Sequence, residues 1–91
     1  MRFEWDESKR RANIHRHGFD FEDGEKVFAG ETVTNLDERF NYGERRFITL
    51  GLLRGRMVAI AYTEVEEVVR LISLRKASKN EQKIYWQEIR D

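Results

Sequence analysis

The stretch Val68-Val69-Arg70-Leu71-Ile72-Ser73-Leu74-Arg75-Lys76-Ala77-Ser78 decides how this chain folds and where its cations lie. Its first seven residues are mostly β-branched or large and apolar, which predicts a buried strand. Arg70 lies inside that strand, and a guanidinium there costs free energy unless it faces an opening or a partner. Because arginine presents a flat fork of donors suited to phosphate, the stretch indicates the floor of a phosphate-binding cleft. The alternative is a structural pair between Arg70 and a carboxylate of the chain.

The composition restricts the class of protein. A chain of 91 residues suits one compact domain, spanning residues 1–91. It has no cysteine, which excludes disulfides and thiolate metal sites. Neither a membrane-spanning apolar run nor a secretory signal is present in the sequence. We therefore expect a cytoplasmic protein with no membrane contact.

The charges are balanced overall but unevenly placed. The net charge is zero, which argues against a polycation that coats nucleic acid. Residues 19–44 carry eight acidic and two basic side chains, whereas both ends of the chain are basic. If the ends meet in space, they form a basic patch that can bind a polyanion on one face only. A charged, solvated surface without a ligand is the alternative.

The local patterns predict an α+β domain. Phe3-Glu4-Trp5 is typical of an edge strand, and Asp6 is a helix N-cap for residues 7–17, which Gly18 ends. A second helix is predicted from about residue 21 to 30. Four strands should then follow at residues 31–37, 45–53, 57–62 and 68–75, before a C-terminal helix that Ser78 begins. The fold class is two N-terminal helices, a twisted antiparallel four-stranded sheet with helices covering one face, and a C-terminal helix.

Motifs at both ends of the chain resemble the signatures of the BrnT toxin family. The opening motif runs through Phe3-Glu4-Trp5-Asp6-Glu7, Lys9, Asn13-Ile14, His17-Gly18 and Phe21-Glu22. The closing motif comprises Arg70-Leu71-Ile72-Ser73, Arg75, Ala77, Glu81 and Tyr85, and Tyr62-Thr63 matches between the two. Each motif alone is weak, but the ordered set covers nearly the whole chain. Two positions depart from the family pattern: Arg16 stands where lysine is common, and Leu74 stands where alanine is common.

The resemblance implies a fold and a function. BrnT proteins are RelE-like toxins of type II toxin–antitoxin pairs, which cleave RNA and arrest translation. The implied partners are an RNA substrate and a BrnA-like antitoxin that binds DNA. The toxin would then contact DNA only indirectly, within a complex that represses its own operon and can form a higher-order oligomer.

Cleaving RNA without a metal requires a base for the 2′-OH, cations for the phosphorane and an acid for the 5′-oxygen. The sequence has no cluster of carboxylates and histidines typical of a metal nuclease, so we predict no metal and no cofactor. His17 is the candidate for proton transfer because imidazole titrates near neutral pH. At a helix C-terminus the dipole favours the imidazolium, and so an acid role. The alternative for His17 is a cap on the last helical carbonyls, and His15 is expected on the surface.

Arg70 and Arg75 are the predicted catalytic arginines, which would bind phosphate and stabilise the transition state. Five residues apart, they fall on opposite faces of a regular strand, because side chains alternate. They can share a site only if a bulge intervenes or if Arg75 lies past the strand end. The helix cap at Ser78 favours the second arrangement.

Other side chains complete the predicted site. Tyr85 is a catalytic candidate that could stack on a base or give a proton, with a packing contact as the alternative. Glu64 or Glu67 could act as base, although acidic turns usually face solvent. Three further cations are predicted to bind RNA phosphates: Lys9, Arg16 and Lys76. For Lys9 the alternative is an exposed lysine without a ligand.

Two functions remain open from the sequence. The first is a metal-independent endoribonuclease toxin that a DNA-binding antitoxin neutralises, which requires His17 and the arginines. The alternative is a non-catalytic RNA- or protein-binding module within a transcriptional repressor complex, which does not require His17. If the chain acts chiefly in such a complex, apolar residues of the last helix, such as Trp86 and Ile89, should matter most.

Overall fold

The chain folds around a five-stranded mixed sheet that helices cover on both faces. The computed structural model describes residues 1–90. Its elements in chain order are β1 (Arg2–Glu4), α1 (Glu7–His17), a 3₁₀ turn (Phe21–Asp23), α2 (Gly24–Phe28), β2 (Val33–Asp37), β3 (Arg46–Leu53), β4 (Arg56–Val65), β5 (Val68–Lys76) and α3 (Lys79–Arg90). The strand order across the sheet is β1-β5-β4-β3-β2. The predicted α+β class is confirmed.

The prediction of four antiparallel strands is wrong in one respect. β1 forms a fifth strand, which pairs with β5 in parallel and places Phe3 beside Val69. The backbone N–H of Arg2 also donates to the Glu67 carbonyl at 2.9 Å. Phe3 packs on the hydrophobic core, so burial of its ring helps hold this short strand in place.

The helix boundaries follow from their caps. α1 has its predicted bounds, because the Asp6 carboxylate accepts hydrogen bonds from the N–H groups of Ser8 and Lys9, and Gly18 ends the helix at φ 77°. The predicted second helix is instead a 3₁₀ turn followed by the short α2. The bounds of α3 depend on a capping box, in which the Ser78 N–H donates to Glu81 Oε1 and the Glu81 N–H donates to Ser78 Oγ.

Two hydrophobic clusters occupy opposite faces of the sheet. We name the first the N-terminal face; its buried side chains include Phe21, Val27, Ile60, Leu71 and Leu74. The second, the α3 face, contains the buried side chains Leu50, Met57, Ala59, Ala77 and Tyr85. The prediction that helices cover one face is therefore wrong: strands β3 to β5 carry apolar side chains on both sides, and each side requires a cover. Among residues 1–90, no helix is long and apolar enough to cross a bilayer.

Candidate functional site

A β-bulge in β5 puts Arg70 and Arg75 on the same face of the sheet. Arg70 pairs with Thr63 and Arg75 pairs with Ala59, and the register between β4 and β5 shifts between these pairs. Thr63 and Ala59 lie four residues apart on β4, so they share a face, and so do their partners. Ala59 belongs to the cluster beneath α3, which identifies the face as the α3 face. The arrangement favoured from the sequence, with Arg75 past the strand end, is wrong because β5 extends to Lys76.

The two arginines are nevertheless far apart along the strand. Five residues span about 15 Å in a bulged strand. Arg70 is half exposed and lies 3.3 Å from Glu4 Oε1, the carboxylate pair that was the alternative for this residue. Because both partners are exposed, this ion pair constrains Arg70 weakly. Arg70 and Arg75 therefore cannot hold one phosphate together, but they can contact different phosphates of one RNA strand.

Arg75 is held more firmly. Its guanidinium donates to both carboxylate oxygens of Glu81, at 2.8 and 3.0 Å. This bidentate bond joins β5 to the capping box of α3 and lowers the pKa of Glu81. Arg75 is thus a positioned cation whose planar group is fixed relative to β5 and α3.

Asn13 positions α1 along the free edge of β5. Its side-chain amide donates to the carbonyls of Leu74 and Phe19, each at 2.9 Å, and its oxygen accepts from the Leu74 N–H at 3.1 Å. The amide therefore bonds the β5 backbone where β1 has already ended. Asn13 is buried, and His17 follows one helical turn later.

His17 lies close enough to Arg75 for the positive charge to act on it. Burial lowers the pKa of His17, and the charges of Arg16 and Arg75 lower it further. The helix-dipole argument predicted the opposite shift and an acid role. The predicted direction of the pKa shift is wrong, because desolvation and two cations favour the neutral ring; the acid role stays a prediction. A neutral imidazole at pH 7 can accept a proton, which suits a general base.

The structure separates Tyr85 from this cluster. Tyr85 is 3% exposed and packs in the hydrophobic cluster between α3 and the sheet. Its hydroxyl donates to the Glu31 carbonyl at 3.1 Å, and burial raises its pKa. A catalytic Tyr85 stays a prediction, and these contacts are those of the packing alternative.

The remaining sequence candidates lie at the surface. Three cations are exposed on α1 and at the end of β5: Lys9, Arg16 and Lys76. His15 is exposed, as expected. Glu64 pairs with Val69 and so belongs to the opposite face from Arg70, while Glu67 is exposed in the turn before β5. Among residues 1–90, no three histidine, aspartate or glutamate side chains are grouped to hold a metal ion.

Sequence reasoning missed Arg46, which lies in a row of side chains across the α3 face. Asp37 pairs with Arg46, Thr63 pairs with Arg70, and Arg70 pairs with Glu4. Arg46 comes level with Thr63 because the next residues, Phe47 and Tyr62, are partners. The predicted pairing of strands could have indicated this position, since Arg46 lies at the start of the strand that pairs with the strand ending at Tyr62-Thr63.

Comparison with known proteins gives the chain its family. A search of curated proteins found no match. A family model described as "Ribonuclease toxin, BrnT, of type II toxin-antitoxin system" matches residues 5–81. The matched range contains α1, the whole sheet apart from β1, and the start of α3. The chain therefore belongs to the BrnT family of ribonuclease toxins of type II toxin–antitoxin systems.

Proposed function

We propose that this toxin is a metal-independent endoribonuclease that cuts RNA beside His17, where β5 meets α3. The observation that supports this most is the imidazole whose pKa burial and two arginines hold down. The neutral ring accepts the proton of a ribose 2′-OH, and the guanidinium of Arg75 stabilises the negative charge that develops on the phosphate. Glu81 keeps that guanidinium in place.

The reaction balances without a further reagent. The 2′-oxygen bonds to phosphorus as its proton passes to His17, and the bond between phosphorus and the 5′-oxygen breaks. The 5′-oxygen leaves as a hydroxyl by taking a proton from water, and the proton on His17 returns to the solvent. The products are a 2′,3′-cyclic phosphate and a 5′-hydroxyl end, and cleavage should persist in excess EDTA.

The RNA strand should follow β5 on the α3 face. Arg75 then lies at the scissile phosphate and Arg70 at a phosphate a few nucleotides away, because about 15 Å of strand separates them. Lys9 and Arg16 are exposed cations of α1 and supply sequence-independent attraction. Lys76 is also exposed, but it pairs with Val58 and so belongs to the N-terminal face. Arg70 is available for this role because its pair with Glu4 is exposed and long, at 3.3 Å.

A BrnA-like antitoxin should neutralise the toxin and supply the contact with DNA. We assign its docking to the outer side of α3, where Trp86 is 43% exposed. A surface groove of about 640 Å³ runs along this side of the helix, lined by Trp86 and polar residues including Lys79, Lys83 and Arg90. Trp86→Ala should weaken neutralisation and leave RNA cleavage unchanged, whereas Glu88→Ala, at an exposed position of α3 outside the groove, should change neither. Loss of cleavage in folded Trp86→Ala, or full neutralisation, would contradict this assignment.

The proposed activity is tested by induced expression without the antitoxin. Wild type, His17→Ala, Arg70→Ala and Arg75→Ala are compared for growth and total RNA, with folding checked by circular dichroism. Arg54→Ala is the matched control, since Arg54 is an exposed cation in the hairpin between β3 and β4. We expect growth arrest and RNA decay in wild type and Arg54→Ala only. Growth arrest with intact RNA, lost in the arginine variants but kept in His17→Ala, would favour the non-catalytic binding module.

A further inference from the structure

The loop between β2 and β3 holds an exposed aromatic ring beside the row of arginines. Residues 38–45 connect the two strands. The Phe40 side chain is 68% exposed, and its ring meets Tyr42 edge-on with centroids 5.8 Å apart. A single exposed phenylalanine is ordinary on a protein surface. The Phe40 ring differs from an ordinary exposed ring because hydrogen bonds hold its loop in place and arginine side chains lie nearby.

Asp37 fixes the loop. Its side chain is 2% exposed and accepts from Arg39 Nε at 2.8 Å and Arg39 Nη2 at 2.9 Å. The Tyr42 hydroxyl donates to the same carboxylate at 3.0 Å, and the hydrogen bonds from Arg39 hold the pKa of Asp37 well below its ordinary value. A loop held in this way loses little conformational entropy when it binds a ligand.

Tyr42 in turn supports Arg46. The Arg46 guanidinium lies over the Tyr42 ring, 3.9 Å from its centroid. Its Nε–H is buried and makes no hydrogen bond within the described residues, while the same Nε forms an ion pair with Glu44 Oε1 at 3.5 Å. Arg46 is therefore a cation fixed in orientation, with a donor that the protein itself does not satisfy.

Arg46 and Arg70 flank Thr63 on the α3 face. They are two strand spacings apart, about 10 Å between backbones, a gap that two long side chains can close around one phosphate. Thr63, the β4 residue between them, is only 9% exposed. α3 packs on the other half of this face, over Leu50, Met57 and Ala59.

We propose that Arg46, Arg70 and Phe40 form a nucleotide-binding subsite, separate from His17, in which the two arginines hold one phosphate and the Phe40 ring stacks on a base. The subsite rests on the proposed function only in taking RNA as its ligand. Guanidinium groups suit the phosphate, and an exposed aromatic ring suits the face of an unpaired base. The subsite would fix which nucleotides lie upstream or downstream of the cut.

The test uses wild-type protein and a labelled 2′-O-methyl RNA decamer, which lacks the 2′-OH needed for cleavage. Fluorescence anisotropy gives the affinity. Phe40→Ala should weaken binding about five- to hundredfold, the range for one base–aromatic stack, while Phe40→Tyr should stay near wild type. Leu52→Ala is the control, because Leu52 is 41% exposed at the opposite end of β3.

The contact between Arg46 and a phosphate is tested by measuring how affinity depends on salt concentration. Arg46→Gln should weaken binding and reduce the slope of log affinity against log salt. The reduction should be smaller than about 0.7, the value for one whole phosphate contact to a single strand, because Arg70 still contacts the same phosphate. Arg54→Gln should leave the slope unchanged. Arg46→Lys, which keeps the charge without the flat ring contact, should recover the slope but only part of the affinity.

Three outcomes would overturn the subsite. The first is Phe40→Ala and Arg46→Gln both binding within twofold of wild type. The second is no binding of the decamer by wild type. The third is that Phe40→Ala or Arg46→Gln keeps the RNA affinity of wild type but no longer binds the antitoxin, which would make the loop a protein-docking surface. Cleavage of unmodified RNA by wild type tests the proposed function independently of all three.

Discussion

At the residue scale, the side chain of Asn13 makes the hydrogen bonds to Leu74 that a neighbouring strand would otherwise make at this edge of β5. Its amide makes three hydrogen bonds, two of them to the backbone of Leu74 on the edge of β5. Asn13→Ala leaves buried backbone groups of Leu74 and Phe19 without partners, so we expect a loss of about 2–4 kcal/mol in the free energy of unfolding. Urea denaturation measures it, and Asn80→Ala, at an exposed position of α3, should change stability by less than about 0.5 kcal/mol. A small effect at Asn13 would mean that water replaces the amide.

His17 gives the second prediction at this scale, a pH dependence. A general base must be neutral, and the pKa of His17 is lowered below 6.5 by burial, Arg16 and Arg75. The cleavage rate should therefore hold its plateau down through pH 6.5 and fall only as the pH drops through the lowered pKa. Arg16→Gln removes one of the cations, so the acid limb should move up towards 6.5.

The control for this shift is Arg11→Gln, since Arg11 is an exposed cation of α1 that does not act on His17. A rate that rises as the pH falls would assign His17 the acid role instead. The same shift affects stability with a defined sign. The unfolded chain binds more protons just below pH 6.5, so the contribution of His17 to stability falls as the pH falls through that window.

At the element scale, the bulge in β5 decides the geometry of the site, and the sequence shows why it could not be predicted. Buried Val69, Leu71 and Leu74 are spaced by two and then three residues, which is the mark of a bulge. Ile72, the extra residue at the bulge, is apolar, so the sequence of β5 predicts a continuously buried strand without a bulge. The caps of α1 and α3 were predictable because Asp6, Gly18, Ser78 and Glu81 act within four residues of the chain. The pairing of β1 was not, because it joins segments more than sixty residues apart.

The junction of β5 and α3 should depend on the charge of Glu81. Glu81 accepts from Arg75 and from the Ser78 N–H, so one carboxylate holds the strand end and caps the helix. Glu81→Gln keeps the shape but removes the charge, and should cost about 1–3 kcal/mol of unfolding free energy. Because the pKa of Glu81 is lowered from 4.5, this stability is present above pH 4.5 and lost as the pH falls through the lower folded pKa.

Glu88→Gln is the matched control, because Glu88 is exposed on the same helix. Thermal unfolding at pH 7 and at pH 3 measures both variants. The difference between Glu81→Gln and wild type should shrink at the lower pH. If Glu81→Gln and wild type differ in stability by the same amount at both pH values, the amide does not fit the site, and the charge of Glu81 contributes little to the junction.

At the scale of the whole molecule, the two faces of the sheet divide the roles. The N-terminal face is filled by the larger cluster of buried side chains. The α3 face is half covered by the helix, and its other half carries Arg46, Thr63 and Arg70. The charge pattern of the sequence predicted a basic patch formed by the two chain ends. In the structure α1 and β5 do meet, but Arg46 comes from the middle of the chain, and only strand pairing brings it to the site.

A protein of zero net charge must bind RNA through local contacts, and this gives the last prediction. Long-range attraction should be weak, so the salt dependence of affinity counts the phosphates that are contacted. If Arg46 and Arg70 share one phosphate and Arg75 contacts a second, the slope of log affinity against log salt should be about −1.4 for a single strand. Anisotropy titrations with the 2′-O-methyl decamer across a salt series measure it. A slope near zero would show that the arginines stay with their carboxylates, and a slope steeper than about −4 would bring the lysines of α3 into the RNA-binding surface.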